Sequence, residues 1–295
     1  MRNLVAMLVL VGASGCASSA ALPRKAIELN QLGVAALARG ELEVAEARIA
    51  TALEYNGKFV EAWVNLGLID EARGDFKRAR RDFVKARDIN PDIPITHHAL
   101  GQLDEREGAM EEAEHNYRAA LKVDPGFAPA RLNLGRRLFE RGAYDDAREQ
   151  FLRLTQVAPN VAAGWTSLCE TLLKLHRYED ADDVLVTASK RFPDDPNIQL
   201  LEGRALMRAR RLSEAVATFQ PLTERDDPPR AGAAWAWMAL ARMGMGEGSE
   251  ALRAAEQAVA LLPGDPLAMS VLKSVREGLA RASAETTQPA PAIQR

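Results

Sequence analysis

Residues 60–93 read VEAWVNLGLIDEARGDFKRARRDFVKARDINPDI and contain two amphipathic segments separated by a break. Trp63 and Gly67 lie four positions apart, so they share one face of a first helix. Gly74 interrupts that helix, and Phe83 belongs to the apolar stripe of a second one. Neither helix can bury its stripe alone. The segment therefore predicts a helical hairpin that packs against neighbouring hairpins.

The same pattern recurs along the chain with a period of 34 residues. Seven segments carry alanine at one position, which is held by Ala45, Ala79, Ala113, Ala147, Ala181, Ala215 and Ala251. Four positions later, six of them carry a large residue, which is Ile49, Phe83, Tyr117, Phe151, Leu185 or Phe219. Small and large residues alternate in this way when two antiparallel helices approach closely and fill the remaining space. The chain is predicted to be an all-α solenoid of about seven helix-turn-helix repeats.

These motifs resemble the tetratricopeptide repeat (TPR), whose signature is a period of about 34 residues with W-x2-L-G, then A-x3-F, then P. In residues 60–93 the three elements begin at Trp63, Ala79 and Pro91. The resemblance implies a TPR superhelical solenoid that ends with a C-terminal capping helix. It also implies a protein-binding scaffold, and it does not name the partner.

The repeat register divides the chain into segments. TPR units are predicted at 26–59, 60–93, 94–127, 128–161, 162–195, 196–231 and 232–265. A capping helix at 266–282 and a disordered tail at 283–295 are predicted to follow. The sixth unit is two residues longer than the others, and Pro228 and Pro229 stand near its end. A lengthened turn is therefore predicted at 223–230.

Residues 1–15 have a short basic start, an apolar stretch and small residues directly before Cys16. That pattern is typical of a signal peptide, and it resembles a bacterial lipobox, in which the cysteine after the cleavage site receives a diacylglycerol. The resemblance implies a lipidated Cys16 and a short tether at 16–25. With Ala17 after the cysteine, it also implies a periplasm-facing position on the outer membrane. An ordinary signal peptide or an uncleaved anchor, with an incidental cysteine, is the alternative.

Sequence motifs of catalysis are missing, since there is no GxSxG, no phosphate loop, no HExxH and no CxxC. The four histidines are interpreted as structural or surface residues, and Cys169 takes a small-residue position that glycine holds in most units. A formal net charge of −3 gives no basic footprint for nucleic acid. We therefore expect no enzyme activity, cofactor, metal, nucleic acid or small-molecule substrate.

In TPR proteins the concave groove is lined by first-helix side chains that face away from the hairpin core. The corresponding residues here are Val64, Leu68, His98, Gln102, Leu132, Arg136, Phe139, Thr166, Glu170, Leu173, Leu200, Arg204 and Met207. An apolar strip recurs at Phe139, Leu173, Met207 and Met243. Such a strip suits an amphipathic helix or an extended segment of a protein partner. The alternative is that these side chains pack between adjacent helices.

The plan of a lipobox, a short tether and TPR units resembles lipid-anchored TPR proteins of bacterial outer membranes, and type IV pilus pilotins most of all. Pilotins help a secretin, a multimeric outer-membrane pore, to localise and assemble. The first hypothesis is therefore an outer-membrane lipoprotein scaffold that binds an envelope protein, such as a secretin, in its groove. Two alternatives stay open: a general periplasmic adaptor for envelope or peptidoglycan machinery, and a soluble periplasmic TPR protein.

Overall fold

The computed structural model describes residues 22–286, with side chains up to residue 281. This part of the chain contains fifteen helices and no strand. They are α1 (Arg24–Ala38), α2 (Leu42–Tyr55), α3 (Val60–Arg73), α4 (Phe76–Ile89), α5 (Pro94–Glu107), α6 (Met110–Val123), α7 (Ala128–Glu140), α8 (Tyr144–Val157), α9 (Ala162–Lys174), α10 (Tyr178–Arg191), α11 (Pro196–Arg208), α12 (Leu212–Thr223), α13 (Pro228–Gly244), α14 (Gly248–Leu261) and α15 (Pro266–Thr286). The predicted all-α fold of consecutive helical hairpins is confirmed.

The helices form two compact units, one that ends at Val157 and one that begins at Ala158. The first unit contains the four hairpins from α1 to α8, and the second contains three hairpins and α15. In each hairpin the two helices contact each other extensively. None of the helices within residues 22–286 combines the length and apolar character needed to cross a bilayer.

The predicted small and large positions form the centre of each hairpin. Every alanine of the repeated column is buried, and so is every large residue four positions after it. Phe83 shows why glycine precedes it in the facing helix: a Cβ added to Gly67 would lie 2.6 Å from Phe83 Cε1. A methyl group therefore cannot enter without moving the ring, and the two helices can approach this closely only because position 67 has no side chain.

The turn inside each hairpin contains one residue with left-handed backbone geometry. Five turns use glycine for this conformation, at Gly40, Gly74, Gly108, Gly142 and Gly246. His176 and Arg210 take the same position in the fifth and sixth hairpins, with φ of 57° and 62°. A side chain in this region costs about 1 kcal/mol relative to glycine. His176 thus has a turn position, and its Nδ1 lies 2.8 Å from the hydroxyl of Tyr178.

The connection between α12 and α13 differs from the prediction. Residues 224–227 link these helices, and this connection is as short as the four-residue links at 56–59 and 90–93. The prediction of a lengthened turn at 223–230 is wrong because Pro228 begins a helix. Proline lacks only an N–H that would be unpaired in a first turn anyway. The additional residues lengthen α13, which has 17 residues.

The last helix, α15, packs against both α13 and α14. Its buried Val271 and Val275 complete an apolar cluster with the alanines of α14. The predicted C-terminal capping helix is therefore confirmed, but it extends to Thr286, so residues 283–286 are helical where a tail was predicted. The rest of that tail, the predicted signal peptide, Cys16 and most of the tether lie outside the described residues.

Candidate partner-binding face

The predicted groove residues all lie on the first helices of the hairpins, and we call their combined surface within each unit the first-helix face. Two of them, Val64 and His98, are only 5% and 9% exposed. Val64 belongs to a buried cluster with Leu100 and Leu103 of the next hairpin, which covers it. The prediction that Val64 and His98 line an accessible groove is therefore wrong.

The other predicted residues of the unit that ends at Val157 keep some exposure. Leu68, Gln102, Leu132 and Phe139 are half-buried, and Arg136 is exposed. Leu68 packs against two buried clusters at once, so it contributes to the core as well as to the surface. The Phe139 ring meets Tyr144 edge-on, with 5.3 Å between the centroids. This face is thus partly apolar and accessible at Leu132 and Phe139.

In the unit that begins at Ala158, the predicted residues lie on α9 and α11. Thr166, Leu173, Leu200, Arg204 and Met207 are half-buried, and Glu170 is exposed. Helix α11 contacts both α9 and α13, so the three first helices form one continuous face. Leu200 and Met207 rest on the buried cluster around Phe219 while part of each remains open to a partner.

The fourth member of the predicted apolar strip, Met243, is half-buried. That side chain packs against the cluster formed by α13, α14 and α15. A Cβ added to Gly278 of α15 would lie only 2.3 Å from Met243 Cε, so the capping helix contacts this methionine closely. The prediction that Met243 continues the strip stays a prediction, because this side chain is half-buried and also engaged by α15.

Two buried polar pairs join first helices of successive hairpins. The side-chain amide of Asn65 donates to Oδ1 of Asn30 at 2.9 Å. Two repeats further on, the amide of Asn133 lies 3.1 Å from Nε2 of His98. Burial lowers the pKa of His98 to about 4. At neutral pH the imidazole is therefore uncharged, and its Nε2 accepts the hydrogen bond from Asn133.

Inside the second hairpin, two carboxyl groups face each other. Asp70 of α3 and Asp82 of α4 are 2% and 0% exposed. Each has a buried oxygen, Oδ1 of Asp70 and Oδ2 of Asp82, with no hydrogen-bond partner among the described residues. Burial and the neighbouring charge of Asp82 raise the pKa of Asp70 to about 6. In the third hairpin the equivalent pair is Asp104 with Asn116, whose amide donates at 2.6 Å.

Sequence reasoning missed Trp237, which lies on α13 beside Arg204. The Cζ atom of Arg204 is 4.9 Å from the centroid of the Trp237 ring. The signal was present, because Trp237 has the same register position as Asn65 and Asn133 once the two added residues are counted. That position faces the neighbouring first helix, so a large side chain there reaches the first-helix face.

Side chains suited to acid–base or metal chemistry are not gathered at this face. Burial raises the pKa of the Cys169 thiol to about 12, so it remains protonated. No group of three or more His, Cys, Asp or Glu within the described residues could hold a metal ion. What the geometry offers is a partly apolar surface with a few charged side chains, which is suited to binding a protein segment.

Comparison with protein families supports this description. The tetratricopeptide repeat family matches residues 30–92, 104–170 and 172–238. These ranges together cover well over half of the 295 residues. The chain therefore belongs to the tetratricopeptide repeat family. TPR proteins are protein-interaction scaffolds that bind peptides or protein partners. No curated protein matches the chain.

Several solved structures have a similar fold. PilF of Pseudomonas aeruginosa is 20% identical, covers 74% of this chain and 100% of its own, and gives a TM-score of 0.61. A tetratricopeptide repeat protein of Parabacteroides merdae is 15% identical, covers 86% of this chain and 100% of its own, and gives 0.59. PilW, described as a widely conserved type IV pilus biogenesis factor, is 19% identical, covers 85% and 99%, and gives 0.54. At these identities the likeness shows the fold alone.

Proposed function

We propose that the chain is a non-enzymatic scaffold that binds a segment of a protein partner on its first-helix face. The observation that carries this proposal is the presence of half-buried apolar side chains on first helices of both units, among them Phe139 and Leu173. Large apolar side chains left accessible on a folded surface mark interaction sites. Membership of the TPR family supports the same conclusion.

The proposal includes a lipid anchor at Cys16 and a periplasm-facing position on the outer membrane. The lipobox-like residues before Cys16 and the small Ala17 after it support this. Helix α1 begins at Arg24, so only seven residues separate it from the cysteine. Even fully extended, such a link reaches no more than about 30 Å. The partner is then a protein at or near the same membrane.

A pilotin-like role is the most concrete form of this proposal. The scaffold would bind a secretin subunit on the first-helix face and assist its assembly in the outer membrane. The descriptions of similar structures support it, since PilW is named as a type IV pilus biogenesis factor. Affinity purification of the tagged chain from detergent-solubilised envelopes tests it. A secretin multimer in the eluate supports the role, and cell-wall enzymes in its place favour the general adaptor.

Replacing Cys16 with alanine is expected to move the protein from the membrane pellet to the soluble fraction. Without the cysteine, no acyl chains can be attached, and the buried CH₂ groups that anchor a doubly or triply acylated protein are lost. Fractionation followed by immunoblotting measures the change. Cys169→Ala, which alters a buried thiol, serves as the control and should leave the protein in the pellet. Pelleting of the Cys16→Ala variant would contradict the anchor.

Replacing Phe139 or Leu173 with glutamate is expected to reduce capture of the partner at least tenfold, because a charge would enter an apolar contact. Each variant perturbs the first-helix face of one unit, so the pair shows which unit binds. Leu152→Glu is the matched control, since Leu152 is 43% exposed on the second helix α8. Circular dichroism must stay unchanged. If one of the two variants captures the partner at the original level, the first-helix face of the unit that carries that substitution does not bind the partner.

A further inference from the structure

Arg204 has an unusual combination of contacts on the first-helix face. Its guanidinium lies over the Trp237 ring at 4.9 Å. Stacking on an aromatic ring uses the flat face of a guanidinium and leaves the N–H groups at its edge free to donate. No hydrogen bond or ion pair joins those N–H groups to any described residue of the chain. The stacked cation is therefore held in place without an acceptor.

Arg208, one turn further along α11, provides an internal comparison. It lies over the Tyr178 ring at 5.1 Å, so it is stacked in the same way. Its guanidinium, however, also forms an ion pair with Asp182. The chain thus supplies a carboxylate to one stacked arginine of this helix and leaves the other without one. A carboxylate from outside the chain could form with Arg204 the ion pair that Asp182 forms with Arg208.

Apolar side chains lie on both sides of Arg204 along α11. Leu200 lies four positions before it and Met207 three positions after it, so all three side chains share one face of the helix. Both apolar side chains are half-buried and rest on the cluster around Phe219. A bound segment that covers them must continue past Arg204 on either side. A chain terminus would end there, so the geometry favours a side-chain carboxylate over a C-terminal one.

Glu170 and Lys174 of α9 also act on this site. Although the Glu170 side chain keeps solvent exposure, partial desolvation by its neighbours raises its pKa, and the positive charges of Arg204 and Lys174 oppose that rise. Glu170 interacts electrostatically with Arg204 but forms no ion pair with it. A ligand carboxylate at Arg204 would be repelled by Glu170. Removing the Glu170 charge should therefore strengthen binding.

We propose that Arg204, stacked on Trp237, is the point at which the first-helix face recognises an Asp or Glu side chain, carried by a partner segment with large aliphatic residues on both sides of it. This rests on the proposed scaffold function and specifies the chemistry of the partner. Leu200 and Met207 receive the aliphatic residues, and the in-plane N–H groups of Arg204 hold the carboxylate in a bidentate geometry.

Selection of random linear peptides, displayed on phage, on the full-length chain tests the inference. We expect enriched peptides to carry Asp or Glu flanked by Leu, Ile or Met, and Arg204→Glu to replace that acidic preference with a basic one. Arg208→Gln is the matched control and should select the same peptides as the unaltered chain. For the synthetic form of the most enriched peptide, Arg204→Gln should weaken Kd at least about tenfold. Glu170→Gln should strengthen it.

Each outcome separates the inference from the scaffold function. Enriched peptides without an acidic preference, or an acidic preference that survives Arg204→Glu, would overturn the inference and leave the scaffold intact. Failure to enrich any peptide would overturn both. Binding that is lost when the synthetic peptide carries a C-terminal amide would show capture of a chain terminus, and the side-chain assignment would be wrong. Unchanged circular dichroism verifies that the Arg204 variants are folded.

Discussion

Replacing Phe83 with alanine is expected to lower the free energy of unfolding by about 3–5 kcal/mol. The ring is 0% exposed and fills the centre of the second hairpin between α3 and α4. Its removal loses the burial of a large apolar surface and leaves a cavity that the surrounding helices can close only in part. Urea denaturation followed by circular dichroism measures the change. Leu152→Ala, at an exposed position, should change stability by less than about 1 kcal/mol.

A double-mutant cycle with Gly67 gives this prediction a second readout. Gly67→Ala alone should destabilise the chain by about 1–3 kcal/mol, because the new methyl group collides with the Phe83 ring. In the Phe83→Ala background the same change should be neutral or stabilising, because the methyl group enters the cavity and alanine favours the helix. Additive effects would mean that residues 67 and 83 do not share this space.

Replacing Asp82 with asparagine is expected to raise the free energy of unfolding at pH 7 by about 1 kcal/mol, since burial, the larger cause of the raised Asp70 pKa, remains. The pKa of Asp70 is raised to about 6 in the folded chain, against 3.8 as its ordinary value. A raised pKa means that the folded state binds the proton more tightly than the unfolded state. The resulting stability is complete below about 3.8 and is lost as the pH rises through 6. Asparagine removes the second charge and supplies a donor.

Stability measured from pH 4 to pH 7 tests this sign. The advantage of Asp82→Asn over the original chain should grow as the pH rises from 4 to 7. The lowered pKa of His98 contributes the opposite trend equally in both proteins, so it cancels in the comparison. The charged groups around Asp70 are Asp82, Glu46, Arg78 and Arg73. The two arginines offset part of the repulsion between the carboxylates and so reduce the change in stability with pH. The reverse change, Asn116→Asp, should create a second carboxyl pair in the third hairpin and lower the stability, relative to the original chain, increasingly as the pH rises. A dependence of stability on pH that is the same in all three proteins would contradict the pairing of Asp70 with Asp82.

The fold could be predicted almost entirely because its determinants are repeated. Ala79 and its equivalents occur at one register position seven times, and chance agreement over that many units is negligible. The start of α13 was missed for a physical reason. Pro228 and Pro229 favour a turn when they are read alone, yet proline is equally acceptable in the first turn of a helix. Only the cap at Asp227, whose side chain accepts from the Arg230 amide, distinguishes the two.

The candidate face was predicted less completely. The register of the repeat identifies which side chains point away from the hairpin core. Their exposure depends on how the neighbouring hairpin packs, and the sequence of a single repeat does not specify that packing. Val64 is covered because Leu100 and Leu103 pack onto it, and Met243 is partly engaged because α15 approaches it through Gly278. The pairing of Arg204 with Trp237 was missed for the same reason, since it joins two repeats whose register differs by the added residues.

The alternation of the two buried polar pairs has a consequence for assembly of the hairpins in the correct order. Asn30 meets Asn65 across the first joint, whereas Val64 and Ala99 hold the equivalent positions at the second. If the third hairpin docked on the first, Ala99 would replace Asn65 and leave the buried amide of Asn30 without a donor. If the fourth docked on the second, Asn133 would face Val64. Each error would cost about 1–3 kcal/mol, so these buried polar pairs disfavour docking of a hairpin on any hairpin other than its own neighbour.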